Sequence, residues 1–284
     1  MQSLNQQLAV KVKALLNECD AVLIGAGAGL TSAAGIDYWD EQAFARIFPG
    51  WIKRGFTAQY QLMGYSHWSQ EEQWGYYKTH LDYVYFSQQS NPLYQSLYQL
   101  VKDKDYFVMT SNVDGHFYKN GFDKSRIYAP QGDYGLIQCT QPCTKQVWEI
   151  KPFLDQMHPY YDAREQILTS ALGIPKCPVC GSDMFIHVRI DASFIDDVHE
   201  LERQALFDWL AAQERKRVLL IDLGSGFNTP TVIRLPMEKL TITLADATLV
   251  RVNLDHANTT LDLGNKVISV QSDIAEFIKN ISIE

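Results

Sequence analysis

"AVLIGAGAGLTSAAGI" occupies residues 21–36. A short apolar run ends in three glycines at alternate positions, Gly25, Gly27 and Gly29, and small residues follow. Such a run reads as a buried strand, and in an open α/β sheet ligands lie beyond the carboxyl ends of the strands. Backbone amides at that point approach a pyrophosphate only where side chains are absent. The spacing departs from G-x-G-x-x-G, so taken alone the stretch is balanced between a phosphate loop and a tight turn packing a helix on a strand. Thr31 and Ser32 stand where they would cap that helix.

The pattern recurs outward along the chain. "YFVMTS" (106–111), "RVLLIDLG" (217–224) and "LVRVNLD" (249–255) are apolar runs, each reaching or followed by Gly, Asn, Asp or Ser. Segments 92–103 and 197–213 between them have helical character. Buried strands alternating with helices predict an α/β fold, a Rossmann-like doubly wound parallel sheet. Two stretches break the alternation. Residues 40–90 are rich in Trp, Tyr and Gln and read as helical, and residues 139–190 carry four of the five cysteines. The expected organisation is a Rossmann-like domain of residues 1–39, 91–138 and 191–284. A smaller helical and zinc-binding domain, residues 40–90 and 139–190, is inserted in it.

Composition excludes several classes. With 46% hydrophobic and 20% charged residues, the 284-residue chain is that of an ordinary globular protein. A net charge of -8 disfavours a nucleic-acid partner. No apolar run approaches the length of a transmembrane helix, so no membrane partner is expected. Residues 1–20 read as an amphipathic helix, with Leu4, Leu8, Val12, Leu15 and Leu16 on one side, rather than a signal peptide. Five cysteines without an export signal point to a reducing cytoplasm.

Cys139 and Cys143 are spaced C-x3-C, and Cys177 and Cys180 C-x2-C. Two close pairs supply four thiolates, the set a structural zinc needs, and leave no open position for a substrate. Cys19, in the first helix, reads as a core residue. The remaining chemistry follows the strands. "TSNVDGH" (110–116) puts Asn112 and Asp114 just past a strand, as a carboxamide- and ribose-binding pair or as an Asx turn. "APQGD" (129–133) offers Gln131, which orients a ligand but takes no proton near neutral pH. "LGSGFNTP" (223–230) and "VNLDH" (252–256) supply a second Gly/Ser turn, Asn253 and Asp255.

In order, these motifs resemble the sirtuins, NAD-dependent deacylases and ADP-ribosyltransferases. "GAGLTSAAGI" (27–36) is similar to the family's GAG-I-S-x-x-(S/A)-G-I, "TSNVDG" (110–115) to T-Q-N-I-D-G, "GSG" (224–226) to G-T-S, "VNLD" to I-N, and "SDI" (272–274) to the last adenine-contacting turn. The resemblance implies an NAD site at Gly27, Ala28, Gly29, Thr31, Tyr38, Ser111, Asn112, Asp114, Gln131, Gly224, Ser225, Asn253, Asp255, Asp273 and Ile274, with Asn112, Asp114 and Gln131 catalytic. It also implies zinc at the cysteines. The departures are specific. "APQGD" places Gln131 where a deacylase carries its catalytic His, G-I-P-D-F-R becomes "GIDYWD", and the peptide-pairing strand becomes "HVRID" (187–191). That combination resembles the class M, macrodomain-linked sirtuins. It implies transfer of ADP-ribose to a lipoylated glycine-cleavage H-like carrier protein, reversed by a macrodomain hydrolase. Three alternatives stand beside it: a lysine deacylase using His116 or Asp133 as base, an NAD glycohydrolase, and an NAD sensor.

Overall fold

The computed structural model describes residues 2–282; Met1, Ile283 and Glu284, inside the expected domain bounds, lie outside the described residues. The chain divides into two compact units. The first comprises the chain up to Gly35, Ser90–Gln131, and the chain from His199 onward; the second is Ile36–Gln89 with Gly132–Val198.

The first unit is built on a six-stranded sheet. Its order is Val267–Gln271, Asp246–Asn253, Arg217–Leu223, Ala21–Ala26, Asp105–Thr110 and Ile127–Tyr128, and every pairing is parallel. The apolar runs are continuous because both faces are covered. Val22, Ile24 and Ala26 face a core shared with the helices Gln2–Glu18, Pro92–Val101 and Ile274–Ser282. Leu23, Val218 and Leu220 face the opposite core, with Leu206 and Met237 of the helices Glu200–Ala212 and Arg234–Thr243. The first helix turns Ala9, Val12 and Leu16 inward, whereas Leu4, expected on the same side, is exposed. Cys19 is partly buried against this core, and burial raises its thiol pKa.

The strand Ala21–Ala26 is the topological switch point. It pairs with Asp105–Thr110 on one side and Arg217–Leu223 on the other, so the chain winds outward from it in both directions. Loops leaving neighbouring strand ends diverge there and open a crevice.

The second unit carries the helices Glu41–Ile47, Pro49–Ile52 and Gln70–Leu81. Ser69 caps the last one, its Oγ accepting from the Glu72 amide while the Glu72 carboxylate accepts from the Ser69 amide. Phe44, Phe48, Trp51, Leu62 and Tyr76 form its buried core. An antiparallel sheet places Gly132–Cys139 between Trp148–Glu149 and Met184–Val188. This pairing corrects two expected boundaries. Residues 132–138 and 191–198 group with the second unit, where strand Gly132–Cys139 pairs with Trp148–Glu149 and Met184–Val188 and Gln138 holds the 193–195 segment. Residues 36–39 also fall there. In "HVRID", only His187 and Val188 are strand; Arg189 turns out to pair with Asp196 and stack on Phe194.

Candidate functional site

At the switch point two loops meet backbone to backbone. The amide of Gly27 donates to Leu223 O and that of Gly29 to Gly224 O. A Cβ on Gly27 would sit 2.7 Å from Ser225 Cα, and one on Gly29 2.7 Å from Gly224 Cα. Gly224 adopts φ +73°, a left-handed backbone that favours glycine. These glycines are therefore required first by the close approach of loop to loop.

Around that contact lie two cavities within the first unit. One, of about 300 Å³, is lined by Gly27–Gly29, Ser111, Asn112, Gly224–Gly226, Asn228, Thr229, Ile233, Asn253 and His256. The other, of about 220 Å³, is lined by Gly29, Ser32, Ala33, Gly224, Asn253–Asp255 and Ser272–Ile274. They share Gly29, Gly224 and Asn253. The sequence-expected residues Gly27, Ala28, Gly29, Ser111, Asn112, Gly224, Ser225, Asn253, Asp255, Asp273 and Ile274 are thus brought together from five strand ends. Asn112 is held by donating Nδ2 to Gly27 O at 3.0 Å and its backbone amide to Thr110 Oγ1. Asn253 spends its side chain on the loops, donating to Ser225 O and accepting from the amides of Asp255 and His256. Asp273 accepts from the Glu276 amide and so starts the last helix.

Four expected residues lie on neither cavity wall. Thr31 does not cap a helix: the helix Ala28–Ala33 already begins at Gly27, and Thr31 Oγ1 donates to Asp114 Oδ2 at 2.7 Å. Asp114 is buried, 3% exposed, and its other oxygen accepts from the His116 amide. The pair ties the glycine helix to the 111–116 loop, with Asp114 as brace rather than as wall. Tyr38 belongs to the second unit, edge-on to His80. Gln131 closes the 90–131 segment and is half-buried.

The candidate replacement bases fare no better. His116 is fully buried, both ring nitrogens lack a hydrogen-bond partner, and its ring packs on Tyr94. Burial lowers its pKa. Asp133 accepts from the Gly135 amide in the second unit. Sequence reasoning missed Asn228, Thr229 and His256 on the first cavity and Ser32 and Ser272 on the second. Asn228 and Thr229 stood within the quoted "GSGFNTP" turn, the signal that was available.

In the second unit Cys139, Cys143, Cys177 and Cys180 converge, their Sγ atoms all within 4.8 Å of one another. Cys139–Cys180 and Cys143–Cys177 are each 3.6 Å apart. Four sulfurs about 2.3 Å from a tetrahedral zinc would stand roughly 3.8 Å apart, so the residues fit that ion. Hydrogen bonding to Ser182 holds the Cys180 thiol down at about 6. Four cysteines would fill the coordination sphere of that ion, leaving no open position for a substrate.

No protein-family model matches the chain. In fold it is similar to structures described as "Sir2 bound to acetylated peptide" (TM-score 0.56, 18% identity, 95% of this chain and 94% of that one) and "Sir2-p53 peptide-NAD+" (TM-score 0.55, 18% identity, 95% of each). The chain is thus an α/β protein with the sirtuin fold. In sequence it is 26% identical over 272 residues to a "Protein ADP-ribosyltransferase" of Staphylococcus aureus (strain Mu50 / ATCC 700699), covering 94% of this chain and 84% of that one. It is 38% identical over 231 residues to a "Probable bifunctional ADP-ribose hydrolase/ADP-ribosyltransferase" of Fusarium oxysporum f. sp. cubense, matching 79% of this chain but 38% of that longer protein.

Proposed function

We propose that this chain is an NAD-dependent protein ADP-ribosyltransferase of the sirtuin type. Similarity along 94% of the chain to a relative named for that activity carries the reading, and the two cavities at the switch point support it. Gly27–Gly29, Ser111, Asn112, Gly224–Ser225 and Asn253 hold NAD in the first cavity, and Asp255, Asp273 and Ile274 line the second, for the adenine end. NAD supplies the ADP-ribosyl group, whose bond to nicotinamide breaks as a bond to the acceptor forms. Asn112, pinned by Gly27 O, orients the nicotinamide amide. Gln131 steadies the ribose without removing a proton. Asp114 acts through Thr31, keeping the glycine helix and the Asn112 loop in register.

The acceptor is a lipoylated glycine-cleavage H-like carrier protein, by the resemblance to macrodomain-linked sirtuins. A macrodomain hydrolase is the opposing partner, which the paired hydrolase and transferase name of the Fusarium relative supports. Zinc holds the second unit together, and the cytoplasm is the compartment. A deacylase reading is disfavoured by Gln131 and by the burial of His116. The test is nicotinamide release from NAD with and without lipoylated carrier, together with mass spectrometry of the carrier. Release that requires the carrier, with one added ADP-ribose, is expected. Release without protein would make the chain a glycohydrolase, and brisk removal of acetyl from a lysine peptide would make it a deacylase.

A further inference from the structure

Beneath the first cavity lie four charged side chains with no access to solvent. Arg251, Asp222 and Glu238 are 0% exposed and Arg234 is 1% exposed. Arg251 and Asp222 face each other across paired strands, in the register Arg251↔Asp222. Arg251 donates Nε to Asp222 Oδ2 at 2.9 Å and Nη1 to Glu238 Oε1 at 2.5 Å. Its Nη2 donates to Arg234 O at 3.0 Å.

What the four groups do with their other hydrogen-bonding capacity is the telling observation. Asp222 accepts from Ser225 Oγ at 2.6 Å and from the Ser225 amide. Arg234 donates to Ser225 O, His256 O and Asn258 O. Arg251 also donates to Asn258 O. Glu238 accepts from the amides of Thr260 and Leu261. Nearly all of this capacity goes to two loops, 224–229 and 253–261, and both loops supply cavity wall. Arg234 also supports Phe227, its guanidinium 4.3 Å from the ring centroid.

Burying ion pairs is a poor way to gain stability, because desolvation offsets the attraction, and apolar replacements of similar volume are often as stable. Two arginines and two carboxylates beneath a ligand cavity call for a different role. We propose that Arg234, Arg251, Asp222 and Glu238 are positioning residues for the nucleotide cavity. Without touching the ligand, they fix the 224–229 and 253–261 loops at the spacing a dinucleotide needs. The proposal rests on the NAD reading of these loops. It predicts that affinity for NAD depends on a charged group the ligand never meets.

The experiment uses the full chain. NAD and ADP-ribose are titrated calorimetrically into wild type, into Arg234→Met, and into the triple variant Asp222→Leu/Glu238→Gln/Arg251→Met, which removes both carboxylates together with the guanidinium they share. Melting is followed by circular dichroism on the same samples. In variants that keep a cooperative melt, both ligands should bind at least tenfold more weakly. KM for NAD should rise while kcat stays within threefold, a split that a generally loosened fold does not produce. If the triple variant fails to fold, Arg234→Met and Arg234→Lys decide alone, Lys recovering part of the affinity. Binding within twofold of wild type in a folded variant overturns the positioning role. A wild-type chain that binds neither ligand overturns the NAD reading itself, and the positioning role with it.

Discussion

Replacing Asp114 by Ala should unfold before it inactivates. The carboxylate accepts from the Thr31 hydroxyl at 2.7 Å and from the His116 amide at 3.0 Å, all in a buried setting. A hydrogen bond to a charged group contributes about 1.5–3 kcal/mol, and each buried donor left unpaired costs about 1–3 kcal/mol. Asp114→Ala strands two donors, so a loss of about 3 kcal/mol is expected. Thr31→Val removes one bond and should lose about 2 kcal/mol. In the double variant the two losses should overlap, with a coupling of about 1.5 kcal/mol. Asn112→Ala is the contrast. It breaks one bond to Gly27 O at a cavity wall, costs about 1 kcal/mol, and should abolish transfer in a folded protein. Urea unfolding of the four brace proteins, with labelled-NAD transfer assayed in parallel, measures both. Additive losses, coupled by less than about 0.3 kcal/mol, would falsify the brace. So would Asp114→Ala melting like wild type with transfer abolished, which would return Asp114 to direct catalysis.

Three further outcomes follow from other parts of the chain. Cys180→Ser should lose the metal of the purified protein and unfold the second unit, since metal binding is part of the folding energy of such a site; metal analysis and melting decide, and full zinc in the variant contradicts the four-cysteine assignment. Burial holds the His80 pKa at about 3, below its ordinary 6.5. The stability of neutral His80 is then fully present above pH 6.5 and lost as pH falls toward 3, about 2 kcal/mol by pH 5. Unfolding of His80→Leu, compared with wild type at pH 7 and pH 5, should lack that increment; equal pH dependence counts against the assignment. Gly27→Ala forces a Cβ to within 2.7 Å of Ser225 Cα, so the loops must part. A loss of about 1–3 kcal/mol is expected, with no rise in melting temperature on adding NAD; a normal NAD-induced rise refutes the need for that contact.

The strands, the two glycine turns and the cysteine pairs were legible because each is written locally. A strand covered on both faces must be apolar throughout, so "AVLIG" and "RVLLIDLG" announce themselves without knowledge of their neighbours. Cysteines two or three residues apart likewise carry their geometry in the spacing. What the neighbours do was not legible. In sequence Gly27 and Gly29 fit a phosphate loop and a tight packing turn equally, and only the packed structure shows them making room for Gly224 and Ser225. Asp114 and Thr31 are distant in sequence, and the hydrogen bond between them exists only once both loops leave adjacent strands. Asp222 and Arg251 are the sharpest case. Each is a lone charge inside an apolar run, and the parallel register alone sets them opposite one another. A one-dimensional pattern fixes what a segment buries; which charges, loops and cavities then face one another is decided by strand order and register, which only the folded chain possesses.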